Sequence, residues 1–445
     1  MDDRSGHGRD LLAGSPAVAQ ARAVSPAPRE ASSMSIIDQL AERAVRGRMS
    51  RIAHGCLMLR HDGSITPYGQ GGDPSATIHV HDPAFFRAMA FGGHIGAAES
   101  YVRGEWTSDD LAHLIRLFAR NREALEGLET GLAWLSRPVL AAFRVWNRNT
   151  RSGSRRNIHA HYDLGNAFFA SFLDETMTYS CGIFADERTT MKDASIAKYD
   201  RICKKLAIDP DDHVVEIGCG WGGFAIHAAS TYGCRVTTTT ISEEQYRLAR
   251  ERVAAAGLED RVTVLLSDYR DLEGIYDKLV SIEMVEAVGH QYLQTYFEKC
   301  ASLLTPTGLA AIQAITVRDD WYDPRQRQVD FIKRYIFPGS FIPSVSALSS
   351  AVGTTDLRIV QLEDITPHYA ETLRRWKASF QENGDRVRAL GFDERFRRLW
   401  EFYFCYCEGG FEEAVLGTVQ MVFAKPLARG SLVRAQRRVG VAAVA

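Results

Sequence analysis

The stretch Glu216-Ile-Gly-Cys-Gly-Trp-Gly-Gly223 decides the fold. It is entered from the apolar run His213-Val-Val, a buried strand by its pattern, and it opens into GFAIHAASTY, a helix closed by Gly233. A strand that enters a glycine-rich turn and leaves as a helix lets backbone N–H groups approach a ligand closely. Working outward, CRVTTTTI (234–241) reads as a second strand and EEQYRLARERVAAAG (243–257) as a second helix, again closed by glycine. RVTVLLSD (261–268), DKLVSIEM (277–284) and GLAAIQAIT (308–316) supply three more strands. This succession predicts an α/β fold with an open, mostly parallel sheet and helices on both faces. After Thr316 loops and helices replace the alternation (325–344, 369–384 and 394–411), an insertion of the kind that forms a lid or substrate pocket. GTVQMVFAKP (417–426) is the last strand.

The second strand narrows the ligand. A dinucleotide site wants an acid about 20 residues past the glycines, to bond the ribose hydroxyls. That place holds Thr237 to Thr240, and the nearest acids, Glu243 and Glu244, lie inside the next helix. No Lys-Ser or Lys-Thr follows the glycines, so a phosphate-binding P-loop is excluded as well. The E-x-G-x-G-x-G turn with Thr240-Ile-Ser-Glu-Glu-Gln245 is similar to the S-adenosylmethionine site of Rossmann-like methyltransferases.

Composition bounds the rest. In 445 residues, 45% hydrophobic and 24% charged, two or three domains with a sizeable core are expected. Lys and Arg number 53 against 55 Asp and Glu, which excludes a bulk polycation built for nucleic acid. No run approaches the roughly 18 apolar residues of a membrane span, so the chain reads as soluble or at most peripheral. Eight scattered cysteines with no C-x-x-C pair read as reduced cytosolic thiols, and no metal site is expected.

Residues 1–33 lack an apolar period and a signal-peptide core. They read as a disordered tail or an artefactual start before Met34. Residues 34–136 read as a small α+β domain, with β-like runs at 56–63 and 76–83 and helical patterns at 91–106 and 110–121. The segment 137–156 carries six arginines and no acid among Val139, Phe143 and Trp146. It reads as a solvated linker or as a cationic surface for anionic lipid headgroups. The catalytic domain then spans 157–426, and 427–445 reads as a tail.

The motifs Ile158-His-Ala-His-Tyr-Asp-Leu-Gly-Asn166, Met177-Thr-Tyr-Ser-Cys181, EIGCGWGG, TISEEQ, Met284-Val-Glu-Ala-Val-Gly289, YIFPGSFIPS and FCYCEGGF occur in this order. As a set they resemble the cyclopropane fatty acid synthase family over about 150–425, and more loosely over the small domain before it. The resemblance implies a Rossmann-like S-adenosylmethionine methyltransferase domain with a helical lid insertion. Its reaction would be methylene transfer to a cis double bond of a phospholipid acyl chain, and related members leave a methyl or methylene branch instead. For the cofactor it points to Tyr179 and Ser180 at the methionine end, and to Glu216, Gly218, Cys219, Gly220, Trp221 and Gly222 under ribose and methionine. Thr240, Ser242 and Gln245 would hold the ribose and adenine edge, with Asp268 and Tyr269 flanking the adenine.

An alkene is a poor nucleophile, so the site must hold it dry and in line with the sulfonium methyl. The carbocation that follows needs an apolar, aromatic surround and one base. Tyr335, Phe337, Trp376, Phe404 and Tyr406 could supply ring faces or be plain core. By resemblance the base is a bicarbonate ion held by a Glu, a His, a Tyr and backbone near a Cys. Glu286, Tyr369 and Cys181 match, but Gln313 stands where the family has His, which puts bicarbonate and the cyclopropane product in doubt. A Gln amide can donate but carries no charge and shuttles no proton. His290 and His368 are the neighbours that could compensate. Glu283 lies three residues before Glu286, and one of the two could serve the fold instead of the reaction. Cys407 matches a family cysteine considered an active-site residue, although alkene methylation needs no thiolate. The implied partners are a phospholipid surface and unsaturated acyl chains, with homodimer formation allowed and nucleic acid excluded. The implied location is cytoplasmic and peripheral to membrane. A silent binding protein that keeps cofactor pocket and lipid tunnel is the rival of another class.

Overall fold

The computed structural model describes residues 35–125, 147, 149–162, 164–322 and 329–440. The N-terminal tail and most of the arginine-rich segment therefore lie outside the described residues. Near the N-terminus, β1 (Gly55–His61) pairs antiparallel with β2 (Ser64–Gly71) and parallel with β3 (Ser75–Val80), and β4 (Trp106–Ser108) closes the far edge. β1 shows the two-residue alternation of a half-buried strand, which makes it legible. β2 is mostly exposed and carries Pro67 and Gly69, so no apolar period announces it.

The second sheet has seven strands: β5 (His213–Ile217), β6 (Arg235–Thr240), β7 (Val262–Leu266), β8 (Tyr276–Ile282), β9 (Leu304–Val317), β10 (Arg358–Asp364) and β11 (Leu416–Ala424). Their order across the sheet is β10-β11-β9-β8-β5-β6-β7, with β11 antiparallel to both neighbours and the other pairs parallel. The order reverses direction at β5, where the glycine turn leaves the sheet. A crevice at such a point is where open α/β sheets bind ligands.

Two expectations are corrected here. The region after Thr316 holds a strand, β10, as well as loops and helices. As a half-exposed edge strand it has no buried face to mark it in the sequence. The tail read at 427–445 contains a helix, Arg429–Gly440, whose Leu432 and Ala435 pack with Ala428 into the apolar cluster beneath the sheet.

The small sheet does not stand apart from the lid. Phe85, Phe86 and Trp106 belong to one continuous apolar cluster with Phe168, Phe172, Trp376, Trp400 and Phe404. The Glu394–Glu412 helix crosses the Leu111–Arg120 helix at Gly409, where a Cβ would come within 2.9 Å of Ile115 Cγ2 and 3.1 Å of the Ala112 carbonyl. Glu413 accepts from Arg116 at 2.9 Å and pairs with Arg120. Glu408, one residue before the crossing, pairs with Lys377 at 2.6 Å. Much of the FCYCEGGF motif is thus explained by packing. Among the described residues, no helix is long and apolar enough to cross a membrane.

Candidate active site

At the β5 crevice a cavity is lined by Tyr179, Ser180, Glu216, Gly218, Cys219, Gly220, Trp221, Thr240, Gln245, Asp268 and Tyr269. These come from four separate parts of the chain and are the residues assigned to the cofactor. Gly222 and Ser242 do not line it. Gly222 turns the chain into the Gly223–Tyr232 helix, and a Cβ there would meet Ala249 Cβ at 3.4 Å. Ser242 caps the next helix by accepting from Gln245 N. Both serve the scaffold that aims the lining residues.

The cavity fits S-adenosylmethionine on two observations. Gly220 has φ +50, and a Cβ there would meet nothing within 4 Å, so its backbone faces open space. The Tyr269 hydroxyl is buried with no hydrogen-bond partner among the described residues. Asp268 is buried, yet bonds from Arg270 to both carboxylate oxygens hold it below the usual carboxylate range. Glu216 is pushed up to about 8 by burial and accepts from the Thr238 hydroxyl at 2.5 Å.

The same cavity reaches Glu283 and Met284 at the end of β8. There the structure separates two acids that the sequence places three residues apart. Glu283 Oε1 accepts from Cys181 N at 3.0 Å and from Gln313 Nε2 at 2.7 Å. Its Oε2 accepts from the Tyr369 hydroxyl at 2.6 Å. Glu286, expected to pair with Tyr369, instead accepts from Ile315 N at 2.5 Å, and its Oε2 is buried with no partner among the described residues. That expectation is corrected: the carboxylate at the centre of Cys181, Gln313 and Tyr369 is Glu283. In the sequence Glu283 stands out only as a neighbour of Glu286. Its signal is conformational, because its φ of +50 is a left-handed value that a side chain larger than Gly adopts at a cost.

Two buried lysines and two amides supply the donors here. Lys198 is fully buried and donates from Nζ to the Ser180 hydroxyl at 2.5 Å. Burial pushes its pKa down to about 8, against the opposing pull of Glu283. Lys205 donates to Gln420 Oε1 at 2.7 Å, Gln420 Nε2 donates to Gln313 Oε1 at 3.0 Å, and Gln313 Nε2 donates to Glu283. A lysine can only donate, so it fixes which way each amide points, and the chain ends with an N–H on Glu283. β9 and β11 pair Gln313 with Gln420 in register, which puts the two amides side by side.

The other expected residues disperse. The Cys181 thiol is pushed well up by burial, so this residue contributes its backbone N–H to the site. Burial likewise pushes the Cys407 thiol up, and Cys407 does not line the cavity. Trp376 and Phe337 lie against Tyr179, with ring centroids 5.2 and 6.2 Å away. Phe404 sits in the core among Phe172, Phe380 and Trp400. Tyr335 bonds Glu99, and Tyr406 lies against Phe402. His368 accepts from Phe184 N, and His290 lies near the Tyr322 hydroxyl at 3.4 Å, so neither is bonded to Glu283. Arg151 pairs with exposed Asp271 at 2.6 Å, which ties down one cation of the basic segment. At the end of that segment Asn149 Nδ2 donates to Gly339 O, and a Cβ on Gly339 would sit 2.2 Å from Asn157 Nδ2. This close approach accounts for the glycine of YIFPGSFIPS.

The sheet order, the glycine turn and this cavity define an S-adenosylmethionine-dependent methyltransferase of Rossmann-like fold. The family model described as mycolic acid cyclopropane synthetase matches residues 149–421, and the chain belongs to that family. It is 41% identical to tuberculostearic acid methyltransferase UfaA1 of Mycobacterium tuberculosis, over 91% of this chain and 94% of that one. It is 34% identical to the cyclopropane-fatty-acyl-phospholipid synthase of Escherichia coli K12, over 81% and 90%. The crystal structure of mycolic acid cyclopropane synthase CmaA1 complexed with SAH and CTAB superposes with a TM-score of 0.58 at 30% identity, covering 61% of this chain and 98% of that chain. The chain is a lipid methyltransferase in the broad sense of this family.

Proposed function

We propose that the protein methylates the cis double bond of an unsaturated acyl chain carried by a phospholipid, and that a 1,2-hydride shift and loss of one proton from the new methyl then leave a methylene branch. The observation that carries this reading is the meeting of the glycine-turn cavity with the Glu283 cluster in a single space. S-adenosylmethionine supplies an electrophilic sulfonium methyl when bound. Tyr179, Ser180, Gly218 to Gly220, Thr240, Gln245, Asp268 and Tyr269 would hold it. The residues of this chain then have three tasks. Tyr179 lines the cofactor cavity and Phe337 and Trp376 pack against it, an aromatic wall on which a developing cation is favoured by about 0.5–2 kcal/mol per ring face that it meets. The apolar cluster beneath the lid keeps water from the cation. A carboxylate at the cavity wall takes up the proton.

The branched ending is supported by the relatives' names. UfaA1 and a probable fatty acid methyltransferase of Pseudomonas putida, at 37% identity over 81% of this chain, are both called methyltransferases. The cyclopropane ending is the second reading, favoured by the E. coli relative. Peripheral binding to anionic membrane from the cytoplasmic side belongs to the same proposal. The test uses the full chain with methyl-labelled S-adenosylmethionine and anionic vesicles of monounsaturated phosphatidylglycerol. Label should enter the acyl chains, and proton NMR of the product should show vinylic methylene signals. High-field ring signals would establish the second reading, and label that stays off every acyl chain would refute both.

A further inference from the structure

Bicarbonate, the base expected from the family resemblance, does not fit this chain. Of the groups expected to hold it, the Cys181 N–H, the Gln313 amide and the Tyr369 hydroxyl all donate to Glu283. The Ile315 N–H donates to Glu286. An anion brought to this place would find its donors taken and a carboxylate facing it. Like charges a few ångströms apart in a low-dielectric site repel strongly.

We propose that the carboxylate of Glu283 occupies the place of the bicarbonate ion and is itself the proton acceptor of the reaction. The inference rests on the reading that the chain methylates an alkene. Three observations carry it. The first is the donor set, which matches that expected for the ion and converges on one side chain. The second is the backbone of Glu283, held at φ +50, where glycine would sit without strain. Strain of this kind costs on the order of 1–3 kcal/mol and persists where the surroundings over-determine it. Here the Glu283 N–H is tied to the Gln313 carbonyl at 2.8 Å, while three donors hold the side chain. The third is access, because Glu283 is only partly covered and lines the cofactor cavity, whereas Glu286 is buried.

The step balances within the site. Methyl transfer leaves a carbocation on the acyl chain and one excess proton. For the methylene branch, the hydrogen on the methyl-bearing carbon first shifts as hydride to the neighbouring cation, which moves the charge onto the carbon that carries the new methyl. A C–H bond of that methyl then breaks, its electron pair becomes the new carbon–carbon π bond, and the proton goes to a carboxylate oxygen of Glu283. In the cyclopropane ending no hydride shifts: a C–H bond of the new methyl breaks, and its pair closes the ring onto the cationic carbon. Both endings release one proton and need one acceptor, so the proposal holds for either product. Burial raises the Glu283 pKa above the ordinary glutamate value, against its hydrogen bonds and Lys198, which makes it a better base than an exposed carboxylate. The proton then returns to water between turnovers.

The test compares wild type, Glu283→Gln and Glu283→Gly in carbon-dioxide-depleted buffer, with and without added bicarbonate. It follows methyl transfer to phospholipid and, independently, the broadening of the 13C-bicarbonate NMR signal by each protein. Wild-type turnover should be indifferent to bicarbonate, and the wild type should leave the signal sharp. Glu283→Gln should lose turnover by about a hundredfold or more, with no rescue. Glu283→Gly opens the cradle, so it should broaden the signal and regain at least about tenfold in turnover when bicarbonate is added. Calorimetric binding of S-adenosylhomocysteine shows that each variant is folded. Wild-type turnover that stops without bicarbonate, wild-type broadening equal to that of Glu283→Gly, or a fully active Glu283→Gln would each overturn the proposal. If the wild type methylates no acyl chain, the lipid reading fails, and the NMR comparison still decides what occupies the cradle.

Discussion

The Tyr369 hydroxyl donates to Glu283 Oε2 at 2.6 Å, and the two residues lie 86 positions apart in the chain. Tyr369 sits on the lid helix Thr366–Glu382, and Glu283 directly follows β8, a central strand of the sheet. The bond therefore couples lid to sheet at the cofactor cavity. Burial and the Glu283 charge push the Tyr369 pKa well up, so its hydroxyl stays a donor at any working pH. Its ring is held in place by stacking on Phe411, with centroids 4.3 Å apart.

Tyr369→Phe keeps the stack and removes the donor. A hydrogen bond to a charged group is worth about 1.5–3 kcal/mol, so kcat should fall roughly 10- to 150-fold if the carboxylate is positioned by it. S-adenosylmethionine affinity should be unchanged, since Tyr369 does not line the cavity. Steady-state kinetics beside calorimetry makes the comparison, and a kcat equal to wild type would remove Tyr369 from the reacting centre.

Lys205→Met tests whether a remote charge orients the amides. Without its donor, Gln420 loses the group that fixes its Oε1, and the two amides can turn together. Glu283 then loses the Gln313 N–H in a fraction of molecules. A fall in kcat of about tenfold is expected, equivalent to about 1.4 kcal/mol, with cofactor binding intact. Gln313→Leu should cost at least as much. If Lys205→Met leaves kcat untouched while Gln313→Leu lowers it, the orientation of the amides is set by something other than this lysine.

Glu286 makes stability depend on pH. Its carboxyl is pushed up to about 8, by burial first and then by the charge of Glu283. The folded chain keeps this proton where the unfolded chain, with a glutamate pKa near 4.3, has already released it. Stability from this group is complete below about pH 4.3 and is lost as pH rises towards 8. One proton sets a limit of about 1.4 kcal/mol per pH unit on that slope. Glu286→Gln has no proton to lose, so its melting temperature should fall less steeply than that of wild type over this window. Scanning calorimetry across the range gives the two curves, and parallel curves would show that the carboxyl ionises at no cost to the fold.

Gly220→Val places a branched side chain in the open space beside the turn and forces it to φ +50. S-adenosylmethionine binding should drop below detection in calorimetry while circular dichroism stays native. Folded variant protein that binds the cofactor like wild type would move the cofactor out of this cavity. NAD should give no heat with the wild type, because β6 ends in buried threonines with no acid to meet a ribose.

The class of sheet and the family were legible in the chain before any packing was known. A buried strand, a glycine turn and a capped helix are written within about 20 residues, and periodicity and turn chemistry act over that range. The missing acid after β6 excluded a dinucleotide by the same local logic. Elements with no local signature were missed. One is the half-exposed edge strand β10. Another is the Arg429–Gly440 helix, which is mostly polar and finds its apolar partners only by packing under the sheet. Which of the two acids lines the cavity depends on the folded arrangement alone. Glu283 and Glu286 are alike in sequence, three residues apart after one strand. Their separation depends on a left-handed backbone at Glu283 and on the register that sets Gln313 beside Gln420. It also depends on donors that arrive from Cys181 and Tyr369, 102 and 86 residues away. Hydrogen bonds across such distances are fixed by how helices and strands pack, which no local pattern specifies.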